Sequence, residues 1–401
     1  MVKVTSLFRR IRPHRITMVA LVSMFIVGMF TAGASLIANT YISSETELGT
    51  KGGALTQVAD TTASNASAIK FGSSVTGSCP ATKRVVTAAE VTAHTNSGYP
   101  AGTQLYVPDG PDPWGGCFPG PASTGIPSGT TLTNYTGTCT ITTANFVFDS
   151  KTISNCGTLV IKANNVTIKN SKFVGSNIDV QSGSVTAMDS EADFGPDPNG
   201  QAFTGGNITA TRLHFYGGHR QMWCDHCTVT DSYFHGQNIS QDPTAHASAI
   251  RTENNTTYRH NTIACDIPST PQDGGCSAPQ TGYPDFGPIH DNTVEKNLIV
   301  AAQDAGVCAY GGWNVGKPYN NDPLNATNIR FVDNVMQRGI VPNASSKALT
   351  DKDRYTCGFY GPVLSFNSAR TGFVFTGNMW DDGQLWVNNT TSPFYPFYDK
   401  F

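Results

Sequence analysis

The sequence has little charge and little that would make a helix. Only 14% of its 401 residues are Asp, Glu, Lys or Arg, and no heptad spacing of apolar residues runs through it, so coiled coils and helical bundles are excluded. No acidic residue precedes Glu45 and no cysteine precedes Cys79. The first 15 residues hold five basic ones, Lys3, Arg9, Arg10, Arg12 and Arg15, and Ile16 to Ala38 then runs 23 residues without a charge. That length can cross a bilayer with the basic flank inside. Ala32-Gly-Ala34 is also a small-residue cleavage pattern, so residues 16–38 read as either a signal anchor or a cleaved signal peptide. The expected partner of an uncleaved segment is the membrane, with the remainder of the chain outside. Beyond the first 15 residues, 21 basic residues face 29 acidic ones, a formal charge of −8. This speaks against nucleic acid as a partner.

What the sequence does have is a repeat. Asn165-Val-Thr-Ile-Lys-Asn-Ser-Lys-Phe173 alternates apolar and polar residues and then turns, and the pattern returns eight more times between Thr140 and Trp380. Its anchoring position is Lys151, Ser171, Ser190, Leu213, Ser232, Asn261, Asn297, Asn334 and Asn378, Ser or Asn in seven of nine copies. Alternation of period two marks strands with one buried face, and a fixed repeat of about 20 residues stacks each strand on its counterpart one coil later. Asn tolerates a left-handed bend and can hydrogen-bond up such a stack, so we expect the anchors to form the corners. The fold class is all-β: a right-handed parallel β-helix of about nine coils.

On these rungs the chain resembles the pectin-lyase-like β-helix superfamily from about Phe118 to Asn389. Ala245-His-Ala-Ser-Ala-Ile-Arg251, Cys308-Ala-Tyr-Gly-Gly312 and Trp380-Asp-Asp-Gly383 are similar to exported bacterial β-helix proteins of unassigned activity. The resulting domain reading is a basic segment at 1–15, the anchor or signal at 16–38, a Ser/Thr/Ala/Gly stalk at 39–78, an N-terminal cap over the open end of the first coil at 79–137, and the β-helix at 138–401.

All ten cysteines lie in the exported part, where disulfides form. Cys265 with Cys276 closes a Pro/Gly-rich loop, Cys139 and Cys156 flank the first rung, and Cys308 and Cys357 open similar segments on neighbouring coils. Cys224-Asp-His-Cys227 could begin a zinc site, but no second ligand pair follows at fixed spacing, which favours a disulfide or buried thiols.

Rung spacing is 19 to 23 residues up to Ser232 and then grows to 29, 36, 37 and 44. Insertions on one face of a solenoid build its binding surface. The inserted loops 237–248, 266–290 and 310–325 are polar and aromatic and should face one cleft, suited to a long polysaccharide. The resemblance includes hydrolases and lyases. The polygalacturonase-like pattern of Asn-x-Asp, Asp-Asp, Gly-His-Gly and Arg-x-Lys is not matched: Gly218-His219 is followed by Arg220, and the only Asp-Asp is Asp381-Asp382. Elimination from a uronate needs a base, a charge clamp and a proton donor. The residues expected to supply them are Arg251 and Lys317, with His246 and His219 as proton carriers and Tyr310 as donor. Arg220, Trp313, Tyr283 and Tyr319 are expected to bind substrate, and Asp242, Asp225 and Glu253 to hold calcium through oxygen ligands. The expected function is therefore a polysaccharide lyase acting on an acidic glycan, and the alternative is a non-catalytic surface protein that binds glycan.

Overall fold

The computed structural model describes residues 55–59, 67–71, 78–93, 99–196, 202–268, 270–301, 307–314, 316–319, 326–337 and 362–386. The segment expected as a membrane anchor or signal lies outside them, and among the described residues no helix is long and apolar enough to cross a membrane. Residues 1–74 and 75–401 form two units. Within the first, Leu55–Ala59 and Ser67–Phe71 pair as an antiparallel hairpin. Both strands fall within the segment read from the sequence as a stalk, most of which lies outside the described residues.

In the second unit, parallel strands stack into two long sheets. One has ten strands, running from Thr133–Asn134 through Lys151–Ile153, Lys172–Val174, Glu191–Asp193 and His214–Tyr216 to Met379–Trp380, each paired in parallel with the copy one coil away. The other has fifteen and includes the longer strands Thr158–Lys169, Asn177–Met188, Phe203–Thr211 and Arg220–Thr230. The one helix among the described residues is Ala88–Ala93. The chain is nearly all-β, with long parallel sheets compatible with a parallel β-helix. The alternating apolar residues point inward, with Phe148, Phe173, Phe215, Phe234 and Phe331 fully buried inside the coils.

The corners differ in one respect from the sequence expectation. The left-handed residue is the one before each anchor: Ser150, Asn170, Asp189, Arg212, Asp231, His260, Lys296 and Asp333 have φ between 48° and 56°, and Gly377 has φ 65°. The anchor itself turns inward and hydrogen-bonds along the stack. Asn297 Oδ1 accepts from the Asn261 backbone N–H at 2.8 Å, and Asn297 Nδ2 donates to the Tyr258 carbonyl at 2.9 Å and to Asn334 Oδ1 at 2.9 Å. Asn334 and Asn378 repeat the pattern one coil further on. In earlier coils a serine hydroxyl takes the acceptor role, as when Ser190 Oγ accepts from the Ser171 N–H at 3.1 Å. An isolated buried amide would be costly, and the ladder satisfies each one with the next.

The segment expected to cover the first coil runs instead along the outer face of the ten-stranded sheet. The Tyr106 N–H donates to the Asp381 carbonyl at 2.8 Å, and the Tyr99 hydroxyl meets the Asp381 carboxylate. Phe118 packs on Leu298 and Val335, and the Gly125 N–H reaches the Arg212 carbonyl at 3.0 Å. Residues 99–125 thus strap one coil to the next from the Trp380 level to the Leu213 level. Outward Leu298, Val335 and Met379 would otherwise expose apolar surface, and covering them gives the strap its place.

Disulfides join Cys79 to Cys117 within the strap segment, Cys139 to Cys156, Cys265 to Cys276 and Cys224 to Cys227. The last pairing removes the zinc reading of that motif. Cys308 is also disulfide-bonded, while its expected partner Cys357 lies outside the described residues. Several disulfides in one chain fit an oxidising, extracellular environment.

Candidate functional site

Strand register creates the site. Arg220 pairs with Ser248 and Trp223 with Arg251 on adjacent coils, and Arg251 with Thr281 on the next. Met222, Cys224 and Ile250 point into the core, so the residues between them face outward. Trp223, Asp225 and Glu253, with Thr204, Gly205 and Gly206 of the preceding coil, line an open cleft of about 340 Å³. Gly205 has φ +116°, and a side chain there would meet the Val180 carbonyl oxygen at 2.2 Å. Only glycine fits, and the low floor of the cleft follows from it.

Charge is concentrated beside this cleft. Arg251 Nε donates to Glu253 Oε1 at 2.8 Å, and its Nη2 donates to the Tyr283 carbonyl at 2.9 Å and to Asp285 Oδ2 at 3.2 Å. Lys317 Nζ lies 2.9 Å from Asp285 Oδ1. Trp223 Nε1 donates to Glu253 Oε1 at 2.7 Å. The Arg251 guanidinium lies 5.0 Å from the ring centres of both Trp223 and Phe286, and Phe286 is 64% exposed. Burial pushes the Glu253 carboxyl above its ordinary range, although Arg251 opposes the shift. Tyr283 stacks on Tyr310 at 4.3 Å, and the Tyr310 hydroxyl bonds Ser277 Oγ at 2.6 Å. Burial raises the Tyr310 phenol above its ordinary value.

Arg220 differs from its neighbours. Its Nε donates to Ser248 Oγ at 3.2 Å and its guanidinium lies 5.4 Å from the Trp223 ring centre, but it forms no ion pair among the described residues. Burial first, and the nearby Arg251 charge second, bring its pKa down to about 10. A cation in that position gains from an arriving anion.

Of the residues picked out from the sequence, Arg251, Lys317, Tyr283, Tyr310, Arg220, Glu253 and Asp225 gather here. Tyr319 joins them through its loop, its N–H donating to the Pro284 carbonyl at 3.1 Å. Four others do not gather. Trp313 is partly buried against the core with Arg370 over its ring, and its backbone N–H donates to the Ser365 carbonyl at 3.1 Å. His246 is exposed at the start of the His246–Thr252 strand, five residues and roughly 16 Å of extended chain from Arg251. His219 lies one residue before Arg220, near Asp242, whose carboxylate accepts from the Thr244 N–H and hydroxyl and is lowered by them. Residues 243–246 of the 237–248 loop bond residues 270–275, as in the Gly275 N–H to Ala245 carbonyl bond at 3.0 Å, and only Ser248 at its end reaches Arg220. Asp242 is therefore remote from Asp225 and Glu253, and among the described residues no three acidic, His or Cys groups could hold a metal ion. The three-carboxylate calcium site is not formed.

Trp223 and Phe286 are central to the cluster and were not among the residues selected from the sequence, while Asp285 was marked there only as a polar residue of the 266–290 loop. Trp223 could have been found from its outward position in the rung, two residues before Asp225. Asp285 and Phe286 depend on how an inserted loop folds back, which alternation does not encode.

Arg251 is unsuited to be a base. Two carboxylates and a carbonyl hold its guanidinium and fix it in place. The arrangement can bind: an aromatic surface, carboxylates that accept hydroxyl hydrogen bonds, and one cation open to an anion. Fold and cleft together define an all-β protein of stacked parallel strands with an aromatic and ionic cleft on its fifteen-stranded sheet. No known family profile matches the sequence, and no curated protein matches it.

Proposed function

We propose that this chain is an exported right-handed parallel β-helix of the pectin-lyase-like kind whose cleft binds an acidic polysaccharide. The observation that supports it best is Arg220, a largely buried cation beside Trp223 without a carboxylate partner among the described residues. A uronate carboxylate or sulfate would complete its coordination, while a sugar face packs on Trp223 or the exposed Phe286 ring. Asp225 and Glu253 accept hydrogen bonds from ring hydroxyls. Parallel coils repeat at about 4.8 Å, so a long chain can lie across several of them.

The lyase reading has one supporting feature, the placement of Tyr310 as a protonated phenol in the same cluster as Arg251 and Lys317. The engaged state of Arg251 favours binding without cleavage. A screen of the chain against polygalacturonate, alginate, glycosaminoglycans and neutral glucans tests both. Retention of acidic polymers with no ultraviolet absorbance from an unsaturated uronate supports the binding reading. Growth of that absorbance establishes a lyase, and no retention of any acidic polymer refutes the proposal.

A further inference from the structure

The cleft and the unpaired Arg220 flank Trp223 on the strand Arg220–Thr230. Arg220 precedes the tryptophan, with its guanidinium 5.4 Å from the indole ring centre. Asp225 follows it, and the Glu253 N–H bonds the Cys224 carbonyl at 3.3 Å, which sets Glu253 beside Asp225 on the next coil. No cationic side chain lines the cleft, whose walls are Thr204, Gly205, Gly206, Trp223, Asp225 and Glu253. One coil below, Asp179 Oδ1 accepts from the Thr204 hydroxyl at 3.3 Å. Arg251 and Lys317 add no free positive charge, because Glu253 and Asp285 cancel them within one ion-pair network. Asp179 and Asp225 bond Gln181 and His226, and neither pairs with a Lys or Arg among the described residues. One side of Trp223 therefore attracts an anion and the other repels one.

We propose that the polysaccharide taken by this cleft alternates acidic with neutral sugars, the acid of one residue meeting Arg220 and its neutral neighbour offering only hydroxyls to Asp225 and Glu253. The proposal rests on the acidic-glycan reading above and specifies the charge pattern within it. An ionised carboxylate accepts hydrogen bonds and donates none, so a sugar hydroxyl is a partner for it and a second carboxylate is not. Glu253 Oε1 already accepts from Trp223 and Arg251, while its Oε2 accepts no hydrogen bond among the described residues and is left for a hydroxyl. A chain with an acid on every sugar would satisfy Arg220 and at the same time bring a carboxylate against Asp225. Discrimination against such a homopolymer comes from that repulsion rather than from an added contact.

The test titrates the full chain by calorimetry, at neutral pH and physiological salt, with galacturonate octamers whose carboxyls are all free, half methyl-esterified or all esterified. One backbone in three charge patterns separates charge from sugar stereochemistry. The half-esterified octamer should bind at least about threefold tighter than the free acid, with the full ester weakest. Asp225→Asn, a change at a half-exposed side chain, should strengthen the free acid until the two differ by less than about twofold. Asp149→Asn, four coils below the Trp223 strand and beyond the screening length of about 8 Å, should leave the parent ratio unchanged. Free acid that binds as tightly as the half ester, or tighter, overturns the proposal and leaves a site for uniformly acidic chains. A half-ester preference that persists unchanged in both Asp225→Asn and Glu253→Gln assigns it to the overall negative charge and overturns the proposal as well. Binding of none of the three octamers refutes the acidic-glycan reading itself, and the proposal with it.

Discussion

Arg220 and Arg251 lie one coil apart and carry the same charge, yet their surroundings assign them different work. Arg251 is 6% exposed and bridges Glu253 and Asp285. Removing it strands two carboxylates in a poorly hydrated place, so Arg251→Ala should destabilise the fold by about 3 kcal/mol, read as a lowered denaturant midpoint with an unchanged slope. An unaltered midpoint would mean that the ion pairs are better solvated than their burial indicates. Arg220 leaves no such partner behind, and Arg220→Gln should cost little or no stability while removing anion affinity. Arg251 was recognisable in the sequence as a strand residue next to inserted loops. Its contact with Trp223 was not, because 28 residues separate them and only the coil register brings them together.

At the scale of elements, the rungs were legible because one face of every strand is buried and the alternation records it. The anchor ladder was half legible. Its Ser and Asn identity revealed the stacking hydrogen bonds, but the left-handed residue sits one position earlier and varies between Asp, Asn, Ser, Lys, Arg, His and Gly, so no residue type marks it. Asn297→Ala removes a side chain whose loss leaves the Asn261 N–H and the Tyr258 carbonyl without their buried partner. About 3 kcal/mol of destabilisation is expected by urea unfolding, against under about 0.5 kcal/mol for exposed Asn164→Ala. Equal effects would show that the ladder is incidental.

The strap was not legible at all, since its contacts reach across the chain, Tyr99 to Asp381 spanning 282 residues. Its charged tie is His260, with Nε2 at 3.1 Å from Asp112 Oδ2 of the strap and Nδ1 at 2.6 Å from Asp231 Oδ1. Burial alone would push this imidazole down, but Asp112 and Asp231 bring it to about 9. A raised pKa stabilises fully below the ordinary value near 6.5 and is lost as the pH climbs through about 9. Asp112 resists protonation despite burial because of His260 and the Gly116 and Trp114 N–H groups, so its contribution holds above the usual carboxylate range and fades as the pH falls below it. Amide exchange in residues 99–125, corrected for the intrinsic pH dependence of exchange, should therefore accelerate between pH 7 and 10 relative to the coils. His260→Gln should abolish that step, and a step that persists in the variant would exclude His260 as its origin.

For the whole molecule, a formal charge of −8 beyond the first 15 residues gives no general attraction to a polyanion. Binding of an acidic glycan must then come from the local cation beside the cleft, and it should depend on salt as about one ion pair does, rather than as a broad basic surface would. The most direct measurement is a calorimetric titration of the chain and of Arg220→Gln with an oligogalacturonate and with its neutral methyl ester. The account predicts saturable binding of the acid by the parent chain, at least about tenfold weaker binding of the ester, and the same loss for the acid in Arg220→Gln, a difference of about 1.4 kcal/mol. Equal affinity for acid and ester, or an Arg220→Gln variant that binds the acid as well as the parent, would contradict it.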